Sequence, residues 1–190
     1  MPPIVVYDAC VLFPAPLRDL LVRMGVKRLV RVRWSDEILD ECFHAILSRR
    51  PDLDMSALAR TRELMTEVLP HSLVTDYEQH IAALNLPDPN DRHVLATAIA
   101  SNATTIVTSN IRDFPFEELS TLSIRAIHPD DFVSAFIESH PDTIISIVRE
   151  QAGALRNPPH TIIELIDKLR ACSLTKSGSQ LLRLIDSNRQ

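Results

Sequence analysis

The stretch Ile4-Val5-Val6-Tyr7-Asp8 decides the fold, because a short apolar run rich in β-branched residues ends directly at an acid. An unbroken apolar run of this length is typical of a strand that is buried on both faces of a parallel sheet. Three further stretches have the composition of short strands, at residues 29–34, 105–108 and 123–127. The chain therefore predicts a parallel sheet of about four to five strands.

Stretches with apolar residues at helical spacing separate these strands. The clearest helix begins after Ser35, a favoured N-cap residue, and Pro16 and Gly25 suit the start and the end of an earlier helix. Further helices are expected at residues 56–69, 77–84 and 129–139, and directly after the turn at 87–91. Strands that alternate with helices indicate an α/β fold with helices on both faces of the sheet.

The last part of the chain has a different pattern. Residues 140–190 show no strand signal and contain three short helical stretches, the first two separated by Pro158-Pro159. We interpret residues 1–139 as one domain and residues 140–190 as a helical C-terminal extension. The extension is expected to complete the core, to form a homodimer or to receive a partner.

The composition excludes several classes of protein. Three glycines in 190 residues are too few for a phosphate-binding loop or a dinucleotide fingerprint. No apolar run is long enough to span a membrane, and no basic segment precedes the first apolar run as in a signal peptide. We therefore expect a cytoplasmic location with reduced thiols. The formal net charge of −5 counts against a nucleic-acid-binding protein.

Acidic side chains follow the strands at the positions where parallel sheets bind ligands. Asp8 comes directly after the first strand, and Asp113 comes shortly after a later one. Asp88 and Asp91 lie in the turn before a helix, and Glu41 lies beside the apolar stripe of the helix that follows Ser35. Because ligands bind outside the carboxyl ends of parallel strands, these acids are expected to meet at one edge of the sheet.

Each acid also has a simpler explanation. Asp91 is in a position to cap the following helix, Asp113 is compatible with an ordinary loop, and Glu41 with a solvated helix face. Asp8 is the hardest to explain in this way, because an acid next to a buried strand needs a partner to offset its lost solvation. Oxygen ligands select hard cations, so the group as a whole predicts a Mg²⁺ or Mn²⁺ site.

Four segments of the chain resemble the PIN-domain family. Ile4-Val5-Val6-Tyr7-Asp8-Ala9-Cys10-Val11-Leu12 is similar to its opening strand, and Ser35-Asp36-Glu37-Ile38-Leu39-Asp40-Glu41 to its second segment. Asp88-Pro89-Asn90-Asp91-Arg92-His93-Val94-Leu95-Ala96-Thr97-Ala98 is the most specific match, and Thr108-Ser109-Asn110-Ile111-Arg112-Asp113-Phe114-Pro115 resembles the fourth segment. The resemblance covers roughly residues 3–135, with the segments in the family's order and spacing.

The resemblance implies roles for particular side chains, with one departure. Asn110 stands where many members carry an Asp, so Asp113 is expected to supply the missing charge. The implied catalytic residues are Asp8, Glu41, Asp91 and Asp113, and the implied metal ligands are Asp8, Asp88, Asp91 and Asp113. Thr108 and Asn110 are expected to support these ligands or to bind substrate, and Arg92 and Arg112 to contact RNA.

The resemblance also implies a function. Small bacterial PIN domains are frequently the toxins of VapC-like toxin–antitoxin pairs. Such proteins cut tRNA or other structured RNA with Mg²⁺ or Mn²⁺ and are silenced by a small antitoxin. On this basis we expect a metal-dependent endoribonuclease that uses a metal-activated water.

Three alternatives were weighed against this expectation. A haloacid-dehalogenase-like phosphatase requires a second Asp where Cys10 stands, and a receiver module requires a Lys where residues 123–127 lead into His128-Pro129. The third alternative is a PIN fold that has lost activity and serves as a binding scaffold.

One basic segment lies outside the four segments that resemble the PIN-domain family. Residues 27–33 read Lys-Arg-Leu-Val-Arg-Val-Arg, a composition suited to RNA phosphates. A solvated strand face and helix end account for the same pattern, and we favour that interpretation over RNA contact on the sequence alone.

Overall fold

The computed structural model describes residues 1–155 and 159–187. Four strands form the sheet: β1 Ile4–Tyr7, β2 Arg31–Arg33, β3 Thr105–Val107 and β4 Arg125–Ile127. The helices before β3 are α1 Ala9–Leu12, α2 Ala15–Val26, α3 Asp36–Arg49, α4 Met55–Val68, α5 Glu78–Ile81 and α6 Arg92–Ala100. The later helices are α7 Phe116–Ser120, α8 Pro129–Ser139, α9 Pro141–Ala154, α10 Ile162–Ala171 and α11 Thr175–Ser187. Pro158, expected to separate two helices, lies outside the described residues.

The sheet is parallel throughout, with strand order β2-β1-β3-β4. Its register places Val6 opposite Arg33 on one side and opposite Ile106 on the other. The two central strands carry the most apolar side chains, and Val5, Val6 and Ile106 are almost completely buried. The expected α/β fold with a parallel sheet and flanking helices is confirmed.

Local sequence explains where most of the helices begin. The Ser35 hydroxyl accepts a hydrogen bond from the amide of Ile38 and so caps α3, whose apolar residues are buried in the hydrophobic core. The helix expected at residues 77–84 is only the single turn α5, which is too short to propagate without its packing against α6.

Gly25 has a different role from the one predicted. It does not end its helix, because α2 continues to Val26 and the left-handed backbone conformation falls on Arg28, with a φ of 59°. A Cβ at position 25 would lie 2.7 Å from Cγ2 of Val32. The glycine therefore allows α2 to approach β2 closely, and α2 ends one residue later than the sequence predicted.

The C-terminal helices share the core of the rest of the chain. Apolar residues of α9, α10 and α11 belong to the same hydrophobic cluster as the sheet, among them Ile147, Leu165 and Leu181. The Gln151 amide nitrogen donates to the carbonyl oxygen of Pro16 at 2.8 Å, which ties α9 to α2. The C-terminal extension thus completes the core, which was one of the three roles expected for it. The division of the chain into two domains at residue 139 stays a prediction.

None of the helices that the structure describes is both long enough and apolar enough to cross a membrane.

Two of the helical glycines, Gly25 and Gly153, permit a matched test of close packing. Gly25→Ala should destabilise the protein by about 1 kcal/mol or more, because the added methyl overlaps a β-branched side chain that is locked in the core. Gly153→Ala should instead stabilise it by about 0.5–1 kcal/mol, because its Cβ meets no atom within 4 Å and alanine favours the helix. Urea unfolding of both variants measures the difference. Equal effects of the two substitutions would contradict the close approach of α2 to β2.

A second prediction concerns Asp130, the buried acid at the start of α8. Its two carboxylate oxygens accept hydrogen bonds from the amides of Ser177 and Lys176, at 2.8 and 2.9 Å, and so cap α11. Asp130→Ala should cost about 1–3 kcal/mol of unfolding free energy. Asp131→Ala is the matched control, because that neighbour makes only an exposed ion pair with Lys176, worth about 0–1 kcal/mol.

The contribution of Asp130 should also depend on pH. Burial alone raises the pKa of this carboxyl, but the hydrogen bonds from Ser177, Lys176 and Thr175 outweigh burial and hold the pKa below its usual range. Its stabilisation should therefore be complete above the ordinary Asp pKa of about 3.9 and be lost as the pH falls through the lower folded-state pKa. The gap between wild type and Asp130→Ala should narrow in urea unfolding below about pH 4. A gap that is constant down to the acid transition would show that the charge of Asp130 has no role.

Candidate functional site

Two adjacent strands bring Asp8 and Thr108 together at the carboxyl edge of the sheet. Tyr7 and Val107 are the last paired residues of β1 and β3, so the next residue of each strand lies at the rim. The amide of Asp8 donates to the carbonyl of Val107 at 3.1 Å, which holds the acid in line with the sheet. This placement is the one expected for ligand-binding residues in a parallel sheet.

The carboxylate of Asp8 is buried and held by neighbouring side chains. Only 3% of the residue is exposed, and Oδ2 accepts hydrogen bonds from the Thr108 hydroxyl at 2.6 Å and the Cys10 thiol at 3.0 Å. Burial raises the pKa of Asp8, the two hydrogen bonds lower it, and the charge of Glu41 raises it again. The net shift is upward, so the ionised acid lacks a full set of compensating partners.

Asp91 lies at the junction of a 3₁₀ turn, Pro89–Asp91, with helix α6. Its side chain makes no capping hydrogen bond to α6, which removes the support for interpreting it as a helix cap. Burial, and then the charges of Asp8, Asp88, Asp113 and Glu41, raise the pKa of Asp91 to about 6. The other four candidate acids are thus all close enough to Asp91 to repel its charge.

Asp88 and Asp113 are each part of a local turn. Asp88 accepts a hydrogen bond from the amide of Asn90 at 2.9 Å, which leaves its second carboxylate oxygen without a hydrogen bond among the described residues. Asp113 ends the 3₁₀ turn Ile111–Asp113 and is mostly buried, with Nε of Arg112 at 3.6 Å from its Oδ1. Both acids therefore keep oxygens that can serve a ligand.

Glu41 extends from α3 towards α6, where it meets His93. The Glu41 side chain is 55% exposed, and its Oε2 lies 3.4 Å from Nε2 of the buried His93. Burial acts to lower the pKa of His93, but the interactions with Glu41 and Glu37 outweigh burial and raise it. Nothing in the local sequence indicates that α3 places a glutamate beside His93, because the contact joins two helices that are distant in the chain.

Cys10 is a neighbour of Asp8 that the sequence did not identify. Cys10 is half-buried, and its thiol donates a hydrogen bond to the carboxylate of Asp8. Burial and the charge of Asp8 raise the pKa of Cys10 to about 12, so the thiol remains protonated and able to donate. Cys10 also lines a pocket of about 270 Å³ together with Cys42 and Glu41.

The polar residues expected to support the ligands or to contact substrate differ in their exposure to solvent and in their hydrogen bonds. Thr108 is fully buried and, besides donating to Asp8, accepts a hydrogen bond from the amide of Asn110 at 3.0 Å. The side chain of Arg112 is 90% exposed. Arg92 is half-buried, and its Nε has no hydrogen-bond partner in the part of the chain that the structure describes.

The chemistry of these donors suits a hard divalent cation. Within residues 1–155 and 159–187, no Lys or Arg forms an ion pair with Asp8 or Asp91. The same residues hold no closed group of three acidic, histidine or cysteine side chains at metal-binding distance. Mg²⁺ usually binds through one or two carboxylates and keeps several waters, so a closed cage is not required.

Comparisons with known proteins agree with the fold. A family model described as PIN domain matches residues 4–112, which is more than half of the chain and contains every candidate acid except Asp113. A model described as the VapC50 C-terminal domain matches residues 129–183.

A curated relative extends the comparison. The protein named "Putative ribonuclease VapC50" from Mycobacterium tuberculosis (strain ATCC 25618 / H37Rv) is 36% identical over 104 residues. This match covers 53% of the present chain, and it spans 61% of the length of that relative. The chain therefore belongs to the PIN-domain family, and its resemblance within that family is to VapC-like proteins.

Proposed function

We propose that the protein is a metal-dependent endoribonuclease that hydrolyses phosphodiester bonds of RNA. The observation that carries the proposal is the set of acids at the carboxyl edge of the sheet. Asp8 and Asp91 have raised pKa values there, and no basic side chain among the described residues forms an ion pair with either of them. Such an arrangement is unfavourable in an empty site and becomes favourable when a divalent cation binds.

We assign metal binding to Asp8, Asp91 and Asp113, with Asp88 as a further ligand. Bound Mg²⁺ or Mn²⁺ would supply Lewis acidity to a phosphate oxygen and lower the pKa of a water. The Thr108 hydroxyl orients Asp8 through the 2.6 Å hydrogen bond, and this fixes the position of one carboxylate relative to the sheet. Asp113 rather than Asn110 provides charge in this assignment, because a neutral amide attracts a hard cation less strongly.

The remaining residues are assigned to orientation and to substrate. Glu41 completes the acidic set from α3, where the contact with His93 restrains an otherwise exposed side chain. The guanidinium groups of Arg92 and Arg112 are proposed to contact RNA phosphates beside the cut. Asn110, exposed at the rim, is in a position to contact the ribose or the base.

We further propose that the protein is the toxin of a type II toxin–antitoxin pair. The support is the similarity to the relative named "Putative ribonuclease VapC50". On this proposal the substrate is RNA, with tRNA as the first class to test, and a cognate antitoxin silences the enzyme. On this proposal the protein acts in the cytoplasm. A homodimer is the oligomeric state to test.

Metal binding can be tested without an activity assay. In the presence of chelator, Asp91→Asn should stabilise the protein by about 1 kcal/mol, because one of several repelling charges in a partly solvated cluster is removed. Added Mn²⁺ should then raise the melting temperature of wild type and have a much smaller effect on Asp91→Asn. Differential scanning fluorimetry measures both effects. Asp186→Asn, an exposed acid on α11, is the control and should respond to Mn²⁺ as wild type does.

Catalysis can be tested with the same pair of substitutions and two more. Asp8→Asn, Asp91→Asn and Glu41→Gln should each lower the rate of Mn²⁺-dependent RNA cleavage by about 10²-fold or more, because each removes a charge from the metal site and retains the shape. Gel analysis of total RNA and of tRNA, with Mn²⁺ and with chelator, gives the rates. Asp186→Asn should cleave at the wild-type rate.

Two results would oppose the assignment in different ways. Cleavage that survives Asp8→Asn would remove this group of acids from catalysis. A folded wild-type protein that binds Mn²⁺ and cuts no RNA would favour the inactive binding scaffold.

A further inference from the structure

The edge strand β2 borders a groove with an unusual charge for this protein. The groove has a volume of about 680 Å³ and is lined by Arg28, Arg31, Arg33 and His71 together with apolar residues. No carboxylate lines it among the described residues. On a chain with a formal net charge of −5, this local excess of positive charge requires an explanation.

Basic residues near the groove form ion pairs with acids, whereas the three arginines of the groove form none among the described residues. Lys27 pairs with Glu150 at 2.7 Å, and Arg23 pairs with Asp19 at 2.9 Å. Within the described ranges, Arg28, Arg31 and Arg33 form no ion pair with any acid. Within residues 27–33, Lys27 therefore forms an ion pair inside the protein, whereas the three arginines remain available to bind an anion.

The arginines are also held close to one another. Arg31 and Arg33 lie two residues apart on β2, so their side chains leave the same face of the strand. The Arg33 guanidinium donates to the carbonyl oxygen of Val32 at 2.8 Å, and burial and the charge of Arg31 both lower its pKa. A fixed cluster of like charges is costly unless an anion binds to it.

The groove is lined by residues at the amino end of the sheet, Pro2 and Arg28 among them, and by none of the candidate acids. Among its arginines, Arg33 is the one nearest to the acidic edge. Arg33 is opposite Val6 in the register, and Asp8 is two residues further along β1. With the usual strand spacing and rise, the Cα atoms of Arg33 and Asp8 are about 8 Å apart. A short stretch of RNA backbone can span this distance.

We propose that the groove beside β2 binds the phosphate backbone of the RNA substrate at a position outside the group of candidate acids. This inference rests on the proposed function, and it adds a surface that none of the catalytic segments contains. It changes the interpretation favoured from the sequence alone, which was a solvated strand face. An acidic polypeptide is the competing occupant, because it offers the same sign of charge without the regular spacing of phosphates.

The test is RNA binding measured separately from cleavage. The probe is a fluorescein-labelled, single-stranded RNA of 20 nucleotides and mixed sequence, followed by fluorescence anisotropy with chelator present over a series of KCl concentrations. The double variant Arg31→Gln/Arg33→Gln should bind about tenfold or more weakly at about 0.1 M salt. Its slope of log affinity against log salt should be shallower by about 1.4, the value for two lost contacts to a single strand.

A matched control separates this site from a general effect of charge. Arg149→Gln/Arg183→Gln removes two exposed arginines from α9 and α11 and should leave affinity and slope near the wild-type values. Arg28→Gln, a single change in the exposed turn before β2, should show about half of the loss in slope and tests the groove if the double variant does not fold.

Three results would overturn the inference. These are a wild type that does not bind the RNA, equal binding by the groove and control variants, and a poly-glutamate peptide that binds at least as tightly as RNA and loses affinity in the groove variants. The proposed nuclease activity fails separately, if RNA binding depends on the arginines and Mn²⁺ produces no cleavage.

Discussion

The carboxylate of Asp8 lies at the end of a strand that is buried on both sides, and a buried charge is costly unless other groups offset its lost solvation. Two hydrogen bonds, from Thr108 and Cys10, provide part of that compensation. They require β1 and β3 to be neighbours although Asp8 and Thr108 are 100 residues apart in the chain. The helices between these strands have to cross the face of the sheet and return with β3 in parallel register.

The same requirement explains why the helices pack as closely as they do. Gly25 allows α2 to lie against Val32, so the sheet is covered on the side of its edge strand. The C-terminal helices then bury apolar surface of α2 and α8, and Asp130 on α8 caps α11. A rigid surrounding core keeps a repelling set of acids in place, since the repulsion would otherwise be relieved by movement of the chain.

Features that depend on neighbours in the chain could be predicted from the sequence. The apolar run before Asp8 and the cap at Ser35 are local signals, and the positions of the candidate acids followed from the rule that parallel strands share a carboxyl edge. Contacts between distant segments could not be predicted in this way. The donation from Cys10 to Asp8 depends on how α1 leaves the strand, and the pairing of His93 with Glu41 depends on the packing of α6 against α3.

The negative net charge was the main sequence-based objection to RNA as a substrate, and on the proposed function the distribution of charge matters more than its total. At physiological ionic strength charges are screened over about 8 Å, so an approaching phosphate responds to the nearest side chains. Arg60 and Arg62 are paired with acids on α3 and α4 and contribute little net field. Among the described residues the arginines of β2 form no ion pair, whereas Asp8, which directly follows β1, would bind a cation on the proposed function. A bound divalent cation would offset part of the negative charge of the acids, and the unpaired arginines would attract RNA to a protein that is acidic overall.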